Sequence, residues 1–467
     1  MWRPDFRAPK SRPHGLVMWI HGGSGNFARC PFRSVSSLHD KPSGGPTISA
    51  ASESDALIIG AGPSGTATAI LLRLAGWRVV LVEKSAYPRQ KVCGECLTAG
   101  GLAMLDELGV GAAVCARASP ELKQVGWMGD APSIVADLPA CVEGVYRYGR
   151  ALGRDHLDTL LVNRAQELGV TLLQPARVRT VRGKPGHFEC EIQATEKPRG
   201  ERLGHATSSL VHRAAVVVDA HGSWDAGPRD TVREALTPRH SCDLFGFKAS
   251  FANASLPAGR LPVLAFSGGY GGMVVADGGR LTIAGCIRRD TLQALRGRAR
   301  GVSAGAAFEE YLRTSCAGVQ VSLEGARRIG SWLSVGPLRL GIRVGKGDGL
   351  FRVGNAAGEA HPLVGEGMSM ALESAFLLTN QLIPHIAGEI DSIRWIHIHR
   401  AYEAAWRSAF APRMRVASAY AHVAMQPALR VPTHAVLRRW PRLLTHAAQF
   451  AGKARISRSG LRLEGTS

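Results

Sequence analysis

The sequence predicts an α/β fold organised around a dinucleotide-binding unit, and three observations predict it. A short apolar run, Ala56 to Ile59, leads directly into Gly60-Ala61-Gly62-Pro63-Ser64-Gly65. An apolar helical stretch, Ala67 to Leu74, follows, and a second apolar run, Val79 to Val82, ends on Glu83. Strand, glycine turn, helix, strand and terminal acid in that order give weight to a G-x-G-x-x-G pattern that could otherwise arise by chance among 55 glycines.

Each residue of that unit has a physical task. Gly60 permits the tight turn, Gly62 lets the backbone approach a pyrophosphate, and Gly65 allows helix and strand to pack closely. With Pro63 and Ser64 the turn opens a helix whose free N–H groups and positive dipole end suit phosphate oxygens. Glu83, 18 residues beyond Gly65, is placed to accept hydrogen bonds from an adenosine ribose, with Lys84 beside it. The fingerprint by itself does not choose between FAD and NAD.

Composition bounds the remainder. At 467 residues the chain is too long for one small core. The formal charge is +20, and only ten of the 57 basic residues are Lys. A solvated Arg-rich surface and an attraction to an anionic membrane face or an acidic substrate both account for this excess. No recognition motif points to nucleic acid. The nine cysteines are scattered, which fits a reducing, cytoplasmic compartment, and no metal-ligand grouping is present. No apolar run reaches 18 residues.

Residues 1–54, rich in Pro, Gly, Ser and Arg, read as a disordered or extraneous extension. His21-Gly22-Gly23-Ser24-Gly25 resembles an oxyanion loop without supporting context. Gly301-Val302-Ser303-Ala304-Gly305 matches a hydrolase nucleophile pattern by letter only, since no strand precedes it. Helices are expected at 98–108, 154–168, 306–312 and 368–382, and strand-like pieces at 245–251, 261–266, 272–275 and 281–286. From Asp391 helices run to the end, punctuated by Pro412, Pro427, Pro432 and Pro441.

Three further segments carry a resemblance. Arg154-Asp155-His156-Leu157-Asp158-Thr159-Leu160-Leu161 looks like an R-x-x-L-D-x-x-L element, and Val217-Val218-Asp219-Ala220-His221-Gly222-Ser223 like an A-D-G-x-S strand end. Val353-Gly354-Asn355-Ala356-Ala357-Gly358, with Pro362 and Gly365-Glu366-Gly367, looks like G-D-A-A-G…P…G-x-G. Together with Gly60–Gly65, in this order, they resemble the superfamily of group A flavin monooxygenases, geranylgeranyl reductases and flavin halogenases. Lys91-Val92-Cys93-Gly94-Glu95 is most similar to the K-x-C-G-G stretch of the geranylgeranyl-reductase branch.

The resemblance implies FAD as cofactor and a p-hydroxybenzoate hydroxylase-like fold. That is a Rossmann-like FAD-binding domain over 55–240, with substrate-domain strands interleaved, a β-rich substrate domain over 241–345, completion of the FAD domain over 346–390, and a helical region over 391–467. It implies that Arg154 contacts the cofactor phosphates or ribityl chain and that Gly354 and Asn355 face the ribityl chain. Gly365, Glu366 and Gly367 open a helix whose N–H groups lie beside the flavin N1/O2 edge. Three departures stand out. Asn355 replaces the Asp of that element. His221 replaces an Asp linked to nicotinamide recognition. Tyr270-Gly271-Gly272-Met273-Val274-Val275 lacks the Trp and Pro of the reductases' Y-x-W-x-F-P, and the halogenase W-x-W-x-I-P is absent.

Cys93 and His361 are the candidate catalytic residues. Cys93 is ten residues beyond Glu83, on a loop this fold brings towards the isoalloxazine ring. Small apolar filler, thiol acting on substrate, and a Cys93/Cys96 redox pair are its three readings. His361, beside Pro362, is a proton-donor candidate or a hydrogen-bonded structural residue. The C-terminal segment carries 13 basic and three acidic residues from Asp391 onward. It reads either as a cap over the substrate domain or as an interfacial helix bringing the protein to the inner face of a membrane.

The expected activity is flavin hydride transfer to or from a carbon–carbon bond of an apolar small molecule, with the electron donor open. Hydroxylation by a flavin monooxygenase and a non-catalytic FAD-containing binding subunit are the alternatives.

Overall fold

In a computed structural model, which describes residues 52–142, 144–195, 209–223, 240–298 and 301–450, the glycine-bearing strand is the middle of a seven-stranded sheet. Its order is Thr171–Leu173, Val79–Val82, Ser52–Ile59, Ser209–Asp219, His187–Ala194 and Ala176–Lys184, with Phe351–Arg352 also paired to Ser209–Asp219. Pairing is parallel from Thr171–Leu173 through Ser209–Asp219 and to Phe351–Arg352, and antiparallel beyond. The expectations for residues 1–54 and for His21–Gly25 lie, apart from 52–54, outside the described residues.

The near-continuous apolar character of Ala56 to Ile59 follows from burial on both faces. Ala56 and Ile58 join a core with Ile70, Leu157, Leu372 and Phe376, whereas Leu57 and Ile59 pack on the other face with Val178, Phe188 and Leu350. The helices Pro63–Leu74, Arg154–Glu167 and Gly367–Leu382 cover the first face. The glycine-opened helix begins at Gly367, next to the expected Met368, with the Glu366 carbonyl accepting from the Met370 N–H as its N-cap.

A second seven-stranded sheet runs Arg327–Val335, Leu244–Ala252, Leu281–Arg288, Gly269–Val275, Arg260–Phe266, Gln124–Met128 and Ile134–Asp137. All its pairings are antiparallel except Arg260–Phe266 with Gln124–Met128. One face buries Phe247, Phe251, Phe266 and Ile283 against Phe308 and Leu312 of the helix Ala304–Ser315. Ser303 caps that helix, its hydroxyl accepting from the Ala306 N–H at 3.2 Å. Its role is therefore that of a cap, as the missing strand context indicated.

The opposite face carries Tyr270, Val274 and Cys286, and the C-terminal helices close over it. These are Ser392–Met425, Pro427–Arg439 and Arg442–Phe450. Pro427 and Pro441 sit at breaks, but Pro412 and Pro432 lie inside helices. An interior proline costs about 3 kcal/mol. Around Pro412, burial of Trp406, Phe410, Met414 and Ala417 offsets it, so tertiary packing overrides the local signal.

Candidate functional site

One large cavity lies between the two sheets and is floored by the glycine turn. Gly60, Gly62, Pro63, Ser64, Glu83 and Lys84 line it at one end. A Cβ on Gly65 would stand 1.9 Å from the Gly60 carbonyl oxygen, and one on Gly60 would stand 2.5 Å from the Ala220 oxygen. Those two glycines are required by packing, and Gly65 does not itself face the cavity. At Gly62 the situation differs. A Cβ there would meet only guanidinium tips, Arg154 at 3.8 Å and Arg89 at 3.9 Å.

That geometry, with bare backbone, a helix N-terminus and two convergent cations, is chemically suited to a diphosphate. Arg154 is held rigidly, donating through Nε and Nη2 to Asp158 at 2.7 and 2.8 Å. Burial works to lower its pKa, but the Asp158 carboxylate outweighs it and the group is raised. Arg89 bridges Glu83 at 3.3 Å and Asp158 at 3.5 Å. Glu83 accepts from the Ala61 N–H at 2.9 Å and the Ser85 N–H at 3.0 Å, so the carboxylate expected at the ribose also braces the glycine turn. Lys91, again on the wall, has its pKa pulled down to about 8 by burial and by Arg89 and Lys84. Sequence reasoning passed over Arg89 and treated Lys91 only as part of a motif. Their spacing carries no phosphate-binding signature, and only the fold turns them towards Gly62.

Gly354, Asn355, Gly365, Glu366 and Gly367 line the same cavity further along. Asn355 donates through Nδ2 to Ser223 Oγ at 2.7 Å, and Ser223 donates to Glu359 at 2.9 Å. The Glu359 carboxyl is raised, chiefly by burial. Gly365 takes a left-handed φ of 64°, which turns the chain into the helix at Gly367. Arg413 of the long C-terminal helix lies 3.5 Å from the buried Glu366.

At the far end the cavity is walled by the second sheet, including Val263, Gly272, Ala284 and Val335, with Leu338 and Phe410. Tyr270, buried to 1% exposure, pairs through its hydroxyl with His361 Nδ1 at 2.8 Å. Burial lowers the His361 pKa to about 4 and raises that of Tyr270 well above its usual value. At neutral pH His361 is therefore an uncharged imidazole, and the proton-donor candidate is a Tyr–His pair rather than an imidazolium. The sequence marked Tyr270 only as the first residue of an incomplete Y-x-W-x-F-P segment; its pairing with His361, 91 positions away, had no local signal.

Cys93 is half-buried on the cavity wall, and Cys96 is buried at 3% exposure. Neither is in a disulfide, and their partners differ: Cys93 Sγ accepts from the Glu95 N–H at 3.4 Å, and Cys96 Sγ donates to the Gly94 oxygen at 3.2 Å. Among the described residues no group of His, Cys, Asp and Glu could hold a metal.

Residues 53–203 match the family described as an FAD binding domain. A menaquinone reductase of Mycobacterium tuberculosis is 30% identical over 128 residues, 27% of this chain and 30% of that protein. A tryptophan 2-halogenase of Chondromyces crocatus is 26% identical over 343 residues, 72% of this chain and 62% of that protein. The chain thus spans less than two thirds of either relative. The crystal structure of CmlS, a flavin-dependent halogenase, superposes with a TM-score of 0.66 at 20% identity, covering 88% of this chain and 74% of that one; this likeness establishes the fold and leaves the branch open. With its glycine turn, its paired sheets and the match over 53–203, the chain carries an FAD-binding domain and has the fold of the FAD-dependent oxidoreductases.

Proposed function

We propose that the protein is an FAD-dependent oxidoreductase that moves a hydride to or from a carbon–carbon bond of an apolar organic substrate. The observation that carries this reading is the continuity of one cavity, from a cationic phosphate cradle at Gly62 to an apolar sheet face, with Cys93 and His361 on its walls. Bound flavin would supply the two-electron redox chemistry. Arg89, Arg154 and Lys91 would hold its diphosphate, and Asn355 and Gly354 its ribityl chain. The N–H groups at the start of the helix Gly367–Leu382 would face the pyrimidine edge, where reduction builds negative charge. The sheet face excludes water and orients an apolar molecule. Tyr270, which keeps its proton, and His361 would hold the proton that completes addition, and Cys93 would contact the substrate. A menaquinone-like molecule is one apolar substrate this reading accommodates, as the name of the menaquinone reductase relative suggests.

The test is anaerobic photoreduction of FAD-loaded protein, followed by addition of quinones and polyprenyl compounds. Stoichiometric reoxidation without oxygen is the expected result. If only oxygen reoxidises the flavin, with hydroxylated product, the monooxygenase reading replaces this one. If no compound turns over, a binding role does.

We also propose peripheral contact with an anionic membrane. No helix among the described residues is long and apolar enough to cross a bilayer. Leu443 and Phe450 are nevertheless exposed on one side of the helix Arg442–Phe450, near Trp440 and beside Arg438, Arg439 and Arg442. Sedimentation with phosphatidylglycerol vesicles but not phosphatidylcholine vesicles is the expected outcome; equal sedimentation with both, or none, counts against it.

A further inference from the structure

Glu95 is the most constrained residue near the cavity and the proposed chemistry does not use it. Its side chain is fully buried, yet its backbone sits at φ 59°, a left-handed conformation unfavourable for a residue bearing a Cβ. Glycine would adopt it freely, so the side chain must secure the conformation. It does so with groups from the second sheet. Lys248, from Leu244–Ala252, ion-pairs with Oε1, and Thr282, from the neighbouring strand Leu281–Arg288, donates to Oε2 at 2.6 Å. Lys248 is itself 3% exposed. Two buried, opposite charges and a hydroxyl fully engaged on one carboxylate form a stiff unit.

The unit extends in both directions. Arg280 Nη2 lies 3.8 Å from Glu95 Oε1 and also binds Asp155 at 3.0 Å and Asp277 at 3.2 Å. Asp277 in turn accepts from the Gly153 N–H at 2.6 Å, at the start of the helix that presents Arg154. On the other side the Glu95 carbonyl accepts from the Leu152 N–H at 2.9 Å, and the Glu95 N–H points to Cys93 Sγ at 3.4 Å. The second sheet therefore holds, through one carboxylate, the loop that aims Cys93 into the cavity.

We propose that Glu95, locked by Lys248 and Thr282, is a positioning residue that keeps its own N–H on the Cys93 sulfur and presents that thiol, ready to react, to the substrate end of the cavity. This rests on the reading that Cys93 faces substrate, but its test does not need turnover. An N–H donor stabilises the thiolate, the nucleophilic form. Releasing the carboxylate lets the strained loop relax away from φ 59° and withdraws that donor.

The experiment is alkylation of the FAD-loaded full chain by iodoacetamide, with the rate at Cys93 resolved by mass spectrometry and the exposed Cys242 as internal reference. Lys248→Met is expected to slow Cys93 about tenfold, and Thr282→Val about threefold, with Cys242 unchanged. Lys248→Arg, which keeps the charge, is expected to restore the rate to within about twofold of wild type, a rescue that general loosening of the fold would not give. A Cys93 rate in Lys248→Met unchanged or raised, with FAD retained, overturns the proposal. Should Lys248→Met lose FAD, Thr282→Val decides, and an unaltered rate there overturns it equally. If Cys93→Ser keeps full turnover while alkylation still follows Lys248, the lock stands and the substrate role of Cys93 falls.

Discussion

The two ends of the cavity solve recognition in opposite ways. At the nucleotide end the ligand is met by backbone: Gly62 is kept bare, the helix at Pro63 points its N–H groups inward, and Arg89 and Arg154 are fixed by Glu83 and Asp158. At the other end the wall is made of side chains from strands distant in sequence, such as Val263, Ala284 and Val335, with Tyr270 and His361 forming a polar pair. A diphosphate has a fixed shape and charge, so its cradle can be built around one contiguous turn, to which the fold brings Arg89 and Arg154. A substrate varies, and its site is assembled from parts that can change independently.

This contrast can be broken at its strongest point first. Gly62→Val has room to fold, since no atom lies within 3.8 Å of the new Cβ. It fills the space between two guanidinium groups, so FAD affinity should fall about 100-fold or more, ~3 kcal/mol, with melting of the apoprotein little changed. Titration of apoprotein with FAD followed by flavin fluorescence measures it. An unaltered affinity would remove the cradle from the account.

At the other end, Gly272→Leu should leave FAD binding intact and raise KM for an apolar substrate about tenfold, ~1.4 kcal/mol. A Cβ at Gly272 meets only the Pro262 oxygen, at 3.3 Å, so the added side chain occupies cavity rather than core. Steady-state kinetics on quinone analogues would show this, and equal loss of FAD and substrate affinity would argue against two separable ends.

His361 supplies a pH test. Its pKa is lowered from 6.5 to about 4, so between those values the unfolded chain binds a proton that the folded one refuses. Stability is fully present above about pH 6.5 and is lost as pH falls towards 4, by up to ~3 kcal/mol from this group. The acid loss seen in urea midpoints should shrink in His361→Gln. His212 and His399, also lowered chiefly by burial, act in the same direction and should leave a residual slope.

The smallest effect concerns Lys91. With its pKa pulled down to about 8 by burial and its cationic neighbours, it must take up a proton to serve a diphosphate at higher pH. FAD affinity should therefore decline as pH rises beyond about 8, by no more than about tenfold per unit. Lys91→Met should abolish the decline while lowering affinity at pH 7. A pH slope that survives the substitution would assign it elsewhere.

The strand–turn–helix–strand unit ending on Glu83 was legible because it is a local solution to a local problem, whereas Arg154 and the Gly354–Gly367 loops were singled out only through a family resemblance. A turn needs φ freedom, a helix mouth needs an approachable backbone, and a strand end carries an acid. Tyr270 facing His361, Arg89 facing Gly62, and Lys248 locking Glu95 were not legible, because each joins residues tens to hundreds of positions apart. Pro412 misled for the same reason, since burial of the surrounding helix overrode a local breaking signal, and Pro432 likewise lies inside a helix. The Cys93-Gly94-Glu95-Cys96 motif left three readings open, and the fold gives the two sulfurs different partners.

By itself, then, the sequence determined a turn after the first strand that is shaped to take a dinucleotide, because hydrogen-bond donors, dipole and steric allowance there come from neighbouring residues. Only the tertiary structure decided what walls the far end of the cavity: a sheet drawn from Gln124–Met128, Ile134–Asp137 and the strands between Leu244 and Val335, closed by C-terminal helices. Apolar burial has no address in sequence; it is satisfied by whichever faces meet, and the environment of Cys93, Tyr270 and His361 is set where they do.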